Sequence, residues 1–430
     1  MAENQDELNR RRKARLARMR ARKRQQMLLR LTVVGMVLVL AAVGMALLLR
    51  NAPDRPADPT VDKTEPATQS QENEADLTVI HVAAAGDLMV TDKTVKSGLT
   101  DEGYDYSKVF MDVAPVFSKA DLALLNFEGN LLGVPYGTQT TSAPQELAQA
   151  VKAMGVDLVQ MANSTTITDG VASLRTSLAN IRRAGLEPMG AYADNQEFQK
   201  YKGYTIVNVQ GIRIALVAFT KGMGGLSLPA GSENCVNLLY TDYATTYKNI
   251  DKAGINAILE DVEREKPDLT IALVHWGSEY KDMVTKSQEK IATIMKDGGV
   301  DVILGTHPHM VHEVKYDEVT GQLVAYSLGD FFGDAERAGS DYSIILDLEI
   351  TRDNTTGLTK VTDFTYTPIC TLTESTSPDG QIRVVRLEQT IQSYKDRFVD
   401  RVSDQVYESL DYALTRVGER VEPPTEEEKK

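Results

Sequence analysis

The chain has 430 residues, 42% of them hydrophobic and 25% charged, which is long enough for two or three domains, or for one large α/β domain with appendages. Its net charge of −14 is unevenly placed. Residues 1–30 hold eleven Lys/Arg against three acids (+8), residues 51–430 hold 35 against 58 (−23), and Arg50 adds the remaining +1. The acidic bulk argues against nucleic acid as the ligand of the larger part, because phosphate backbones are bound by basic surfaces.

In chain order, the basic arm 1–30 leads into residues 31–49, an uncharged apolar run closed by Arg50. That length spans a bilayer as a helix, and the basic flank places the N-terminus in the cytoplasm, with the rest of the chain outside. Small residues at 41–46 leave a cleaved signal peptide as the competing reading. The long basic region and the continuation of the apolar run favour an uncleaved anchor over residues 31–50, whose arm also attracts anionic head groups. Residues 51–76 are rich in Pro, Asp, Glu, Gln and Thr and read as a solvated linker.

Strands and helices then alternate. A buried strand over 77–85 ends at Gly86-Asp87; residues 101–119 read as helical in part; 121–128 is a second strand ending in polar residues. A helix near 144–154, a strand at 156–161 and a helix near 170–184 precede a hairpin over 204–219. A helix near 242–265, a strand at 268–274, a helix near 287–297 and a strand at 300–304 follow. This alternation predicts a layered α/β domain. Residues 311–388 carry shorter alternating strands, which predicts a second, more antiparallel sheet packed on the first. Residues 389–417 read as a surface helix before an acidic tail, 419–430. Cys235 and Cys370 lie in the outer region, and their spacing leaves pairing open.

The chemistry concentrates at strand ends. Three of the five histidines fall in residues 303–312, and His307 and His309 flank Pro308. Proline biases its predecessor toward extended backbone, where i and i+2 project to one side, so both imidazoles are expected to face one point. Asp87, Asn126, Glu128, Asn163, His275 and Asp330 also end strands, with Glu279 close behind His275. The carboxyl ends of strands in an α/β sheet share one rim. Mixed Asp, Glu, Asn and His ligands suit a borderline divalent ion, Mn, Fe or Zn, and one or two such ions would activate water for attack on phosphorus. His81, inside a strand, reads as a hydrogen-bonded core histidine.

The ordered motifs Gly86-Asp87-Leu88-Met89, Asn126-Phe127-Glu128-Gly129, Ala162-Asn163, His275-Trp276-Gly277-Ser278-Glu279-Tyr280, Gly305-Thr306-His307-Pro308-His309 and Tyr326-Ser327-Leu328-Gly329-Asp330-Phe331 resemble the signature of the CapA-type capsule-synthesis family, associated with poly-gamma-glutamate biosynthesis. The likeness runs over about residues 77–335. It implies a four-layer α/β/β/α metallophosphatase-like domain with two mixed sheets, placed here at 77–388, with 389–430 as a C-terminal helix and tail. By the resemblance, Asp87, Glu128, Asn163, His275, His307 and His309 fall on metal-ligand positions, and Asn126, Glu279 and Asp330 stand behind them. The chain departs from the pattern where the family's histidine and acid are replaced by Thr165 and Thr168. Removing a general acid typically costs about 10²- to 10⁴-fold in rate. His312, where the family commonly has Gln, is the candidate replacement acid; the alternative is a histidine facing outward from a strand. The family also tends to have Asn where this chain has Asp330.

With the anchor read from residues 31–50, the resemblance implies a membrane-anchored extracytoplasmic protein in the synthesis or export of an anionic polymer, as a metal-dependent phosphoesterase. Its expected partners are other capsule-synthesis membrane proteins and an anionic polymer or phosphoester substrate. A binding or scaffold subunit with an eroded site, and a general envelope phosphodiesterase, are the alternatives.

Overall fold

The computed structural model describes residues 76–397 and 402–421. The basic arm, the apolar run 31–50, the linker up to residue 75 and the tail from residue 422 lie outside them. Among the described residues no helix is long and apolar enough to cross a membrane.

The strands, in chain order, are β1 Leu77–Met89, β2 Leu99–Thr100, β3 Gly103–Tyr104, β4 Leu122–Glu128, β5 Leu158–Gln160, β6 Glu187–Met189, β7 Tyr204–Val209, β8 Ile212–Thr220, β9 Leu269–His275, β10 Val302–Thr306, β11 Val314–Asp317, β12 Gln322–Ala325, β13 Asp330–Phe332, β14 Tyr342–Asp353, β15 Thr359–Leu372 and β16 Arg383–Arg386. Continuous apolar runs make the central ones: every residue of β4 and β9 is buried, as expected of parallel strands covered on both faces. An eight-stranded sheet has the order β16-β15-β14-β1-β4-β5-β6, with β13 also pairing β1, and a six-stranded sheet has the order β11-β12-β10-β9-β8-β7. Both are mixed. β1 runs parallel to β4 and antiparallel to β14; β9 runs parallel to β8 and β10, while β7 is antiparallel to β8.

Alternation along each strand divides the side chains among three cores. Ile80, Val82, Ala84 and Leu124 of the first sheet meet Ile214, Leu216, Ile271 and Leu304 of the second. On the outer face of the first sheet, Ala83, Leu125 and Val159 pack beneath helices Gln145–Ala153 and Gly170–Arg183. On the outer face of the second, Val217, Val274 and Ile303 pack beneath Lys252–Glu265 and Lys286–Asp297. The order is therefore helix, sheet, sheet, helix. Both cysteines are buried and free, in different cores.

Several expectations need correction. The C-terminal antiparallel strands do not make a separate sheet: β14 to β16 extend the sheet begun by β1, and the middle of the chain, 204–325, forms the second sheet. The domain does not end at 388 either. Helices Leu387–Arg397 and Asp404–Val421 place Ile391, Leu410, Val417 and Val421 in the inter-sheet core beside Leu348 and Leu372, completing the inner face of the first sheet. The helix expected from 242 starts at Lys252. Ahead of it, the Asp242 carboxylate accepts from Lys248 and Asn249 N–H at 2.9 and 3.0 Å, a turn that competes with helix. His81 is not in the core: it faces solvent from β1, and its Nδ1 lies 2.8 Å from Asp347 on β14.

Candidate metal centre

The site begins with two glycine-aspartate pairs that meet across the end of the first sheet. Gly86 interrupts β1, and the register slips between Ala85 and Asp87. A Cβ on Gly86 would lie 1.9 Å from the Gly329 carbonyl oxygen, and the Asp87 N–H donates to that oxygen at 3.0 Å. Gly329 itself has φ +78°, a region that glycine enters without penalty. The bulge and the turn bring Asp87 and Asp330 side by side as parallel partners, both buried.

From β4 come Asn126 and Glu128, two residues apart on one face. Asn126 Nδ2 donates to Asp87 Oδ1 at 2.6 Å and accepts, through Oδ1, from Asn163 Nδ2 at 3.1 Å. Glu128 Oε2 lies 3.4 Å from His275 Nε2, and its other oxygen accepts from the Ser164 hydroxyl. The amide oxygen of Asn163 accepts both the N–H of Thr165, at 3.1 Å, and its hydroxyl, at 2.9 Å. Thr165 thus occupies itself with holding Asn163. Thr168 donates its hydroxyl to the Thr165 carbonyl oxygen at 2.9 Å and belongs to the same turn.

The His-Pro-His segment converges as expected, but by a different backbone. His307 and His309 have φ of +90° and +59°, not extended values. Such conformations cost about 1–3 kcal/mol each and persist where surrounding contacts over-determine them. Here the His307 N–H donates to Asp87 Oδ2 at 2.9 Å, and the Pro308 carbonyl oxygen accepts the Tyr280 N–H at 2.9 Å. The imidazoles of His307 and His309 lie 5.9 Å apart, and those of His275 and His307 4.4 Å. Tyr280 stacks on His309 at 5.0 Å, with Arg337 on its ring at 4.3 Å.

Each imidazole has a different outer partner. His309 Nδ1 is 2.7 Å from Asp330 Oδ1, His275 Nδ1 is 3.3 Å from the Thr220 hydroxyl, and His307 Nε2 is 3.3 Å from Lys221 Nζ. Lys221, directly after β8, escaped the sequence reading. The signal was available: it ends a buried strand, as the other site residues do. Three groups place one ligand atom each within 4.8 Å of one another: Glu128, His275 and His307; Asp87, His309 and Asp330; and Glu279, His307 and His309. Asp330 thus stands with Asp87 and His309, and Glu279 reaches the third group from an exposed position. The structure does not bring His312 into the cluster. It is buried, and its Nε2 lies on the Lys281 carbonyl oxygen at 2.7 Å, so it neither faces outward nor joins the ligands.

Burial, reinforced by the neighbouring Glu128, pushes Asp87 up to about 8, and burial pushes Asp330 up to about 6 against the opposing pull of His309. Burial would also raise Glu128, but the charge and hydrogen bond of His275 outweigh it and hold Glu128 below the usual carboxylate range. Burial works against a charged His309, yet Asp330 and Asp87 push it up to about 10. Burial, then His275 and Lys221, keep His307 well below its ordinary value. Three buried carboxylates therefore draw a proton onto an imidazole where no stronger cation is supplied. His307 stays neutral, with its Nδ1 buried and without a hydrogen-bond partner, which is the form and the orphaned atom that a metal ligand requires. The residues fit a divalent ion.

Residues 81–335 match the family profile described as bacterial capsule synthesis protein PGA_cap, a span that contains every residue of the cluster. The capsule biosynthesis protein CapA of Bacillus anthracis is 28% identical over 309 residues, covering 69% of this chain and 71% of that protein. The PGA biosynthesis protein CapA of Bacillus subtilis (strain 168) is 27% identical over 265 residues, covering 60% of this chain and 64% of that protein. Among solved structures, the calcineurin-like phosphoesterase YfkN from Bacillus subtilis is similar over 79% of this chain and 99% of that chain, with 14% identity and a TM-score of 0.42. With well over half of its length matched by the profile, the chain belongs to the bacterial capsule synthesis protein family PGA_cap.

Proposed function

We propose that the chain is a membrane-anchored, extracytoplasmic protein of capsule polymer synthesis or export, poly-gamma-glutamate being the polymer, and that it acts through a divalent metal centre on a phosphoester. The observation that carries this reading is the buried set of three carboxylates and three imidazoles with the orphaned His307 Nδ1. Glu128, His275 and His307 would hold one ion; Asp87 and His309, backed by Asp330, would hold a second. A bound divalent ion supplies Lewis-acid polarisation of a phosphoryl oxygen and a water acidic enough to ionise near neutral pH. The protein's own part is to hold its ligands still. Asn126 bridges Asp87 and Asn163, Asp330 orients His309, and Thr220 orients His275, the kind of outer contact that typically accounts for about 10- to 100-fold in metal affinity or activity. The apolar run 31–50 and its basic flank support the anchor.

One observation favours a second reading. Where the family's histidine would stand, Thr165 is bound to Asn163, and His312 lies outside the cluster. A domain that binds metal but serves as a binding subunit of a membrane synthesis complex would keep the ligands and lose this group.

The test is the metal content of the purified full chain beside the His307→Ala/His309→Ala double variant, followed by a phosphoester hydrolysis screen. The wild type is expected to carry one or two equivalents of a transition metal and the variant to lose them. Absence of metal from the wild type would overturn the reading, and metal with no hydrolysis of any phosphoester would favour the binding subunit.

A further inference from the structure

Among the described residues, Lys221 is the one lysine or arginine recorded within hydrogen-bond reach of a candidate ligand imidazole. It leaves the end of β8 half-buried. Its ammonium donates to the Gly277 carbonyl oxygen at 2.8 Å, lies 3.3 Å from His307 Nε2 and sits 4.7 Å from the centre of the Tyr247 ring. An ammonium has three hydrogens to donate, and these contacts use two. The loop it begins runs beside the turn that lost the family's histidine: a Cβ on Gly224 would lie 3.8 Å from the Ser164 carbonyl oxygen.

His307 cannot serve Lys221 and a metal ion at once. A neutral imidazole has one nitrogen that accepts and one that donates. With Nδ1 committed to a cation, the ring hydrogen stays on Nε2, and Nε2 ceases to accept from Lys221. Among the contacts of the described residues, two ammonium hydrogens then have no protein oxygen or nitrogen to accept them, on a half-buried lysine beside the centre. An exposed acid, Glu279, is the neighbouring charge that acts on this lysine, but it makes no hydrogen bond to it among the contacts of the described residues. A second cation next to a metal centre is the arrangement that an oxyanion ligand satisfies, because it offers oxygens to both.

We propose that Lys221 receives an anionic oxygen of the ligand at the metal centre, the ligand being a phosphoryl group. The inference rests on the metal-centre reading above and gives it a binding residue that lies outside the motifs quoted for the resemblance. It also resolves how an acidic chain holds an anionic ligand: one ammonium, beside a candidate ligand imidazole, supplies local positive charge.

The experiment is a calorimetric titration of the manganese-loaded full chain with inorganic phosphate, for the wild type, Lys221→Met and Lys221→Arg, with metal content measured in each. Lys221→Met is expected to weaken phosphate binding by about 10- to 100-fold, the usual weight of a charged hydrogen bond, at unchanged metal content. Lys221→Arg is expected to keep most of the affinity. Equal phosphate binding by Lys221→Met, or a wild type that holds metal and no phosphate, would overturn the proposal and leave the metal centre standing. Loss of metal together with phosphate in Lys221→Met would show a residue that merely supports His307, and would also overturn it. A wild type that holds no metal would remove the metal centre itself.

Discussion

Asp87 and Asp330 reach the same point because each follows a glycine that lets two backbones touch. The prediction belongs to Gly86. A methyl group there meets the Gly329 carbonyl oxygen at 1.9 Å, backbone against backbone, with no flexible side chain to yield. Overpacking of this kind costs about 1–3 kcal/mol or more. Gly86→Ala is therefore expected to lower stability in chemical denaturation by about 2 kcal/mol or more and to reduce metal content. A stable variant with full metal loading would contradict the close approach. Asp301 carries a prediction of a different kind. Its carboxylate accepts the Thr270 N–H at 2.9 Å, yet burial dominates and raises it from 3.8 to about 6. With the folded value above the unfolded one, the folded state binds more protons, so stability falls as pH rises from about 4 to about 6. Asp301→Asn keeps an oxygen for Thr270 and removes the titration. It is expected to flatten that part of the stability–pH curve by something of the order of 1–3 kcal/mol, measured by urea denaturation at pH 4, 5, 6 and 7.

The last helix shows why elements must be judged by what they cover. Asp404–Val421 has a polar face toward water and an apolar one made of Leu410, Ala413, Val417 and Val421, all buried. Arg420 ties it further, with Nη2 2.8 Å from Asp282. A charge on the buried face cannot be solvated, so Val417→Asp is expected to destabilise the domain by about 3 kcal/mol or more. Tyr412, 61% exposed on the same helix, is the control: Tyr412→Asp should stay within about 0.5 kcal/mol. Equal effects of the two would mean that the helix is not docked. Loss of the helix would strip cover from Leu348 and Leu372 of the first sheet and so is expected to expose hydrophobic surface to a dye such as ANS.

At the scale of the molecule, the two sheets meet so that ends of β1, β4, β8, β9 and β10 supply Asp87, Glu128, Lys221, His275 and His307 to one rim. Burial first, and the neighbouring acids after it, raise Asp87 and Asp330 there, so both carboxylates are costly to ionise without a bound cation. Anything that binds the folded state alone stabilises it, by about 2.7 kcal/mol at a hundred times its dissociation constant. Chelation of the purified full chain is therefore expected to lower the melting temperature, and stoichiometric Mn or Zn to restore it. The His307→Ala/His309→Ala variant should melt at the same temperature with and without chelator. A chelator-insensitive wild type would count against a loaded centre.

The alternation of apolar strands and amphipathic helices made the α/β class legible, and polar residues at strand ends made the candidate ligands legible, because both are short-range patterns: a period of two or 3.6 residues, or a turn a few residues long. Residue type carried the rest of that chemistry, since neutral imidazole and carboxylate remain ligands in whatever fold holds them. What the pattern could not contain was pairing between distant segments. The union of β1 with β14, 77 to 353, and the docking of the last helix depend on contacts across hundreds of residues. The same holds inside the site. Pro308 argues for extended backbone at His307, but the His307 N–H donates to Asp87, 220 residues away, at φ +90°. His312 is three residues from His309 in sequence and turned onto Lys281 in space, whereas Lys221, 86 residues from His307, is beside it. Local sequence determined which groups could bind; tertiary packing decided which of them meet, because a contact is a property of two chain positions and a spacing is a property of one.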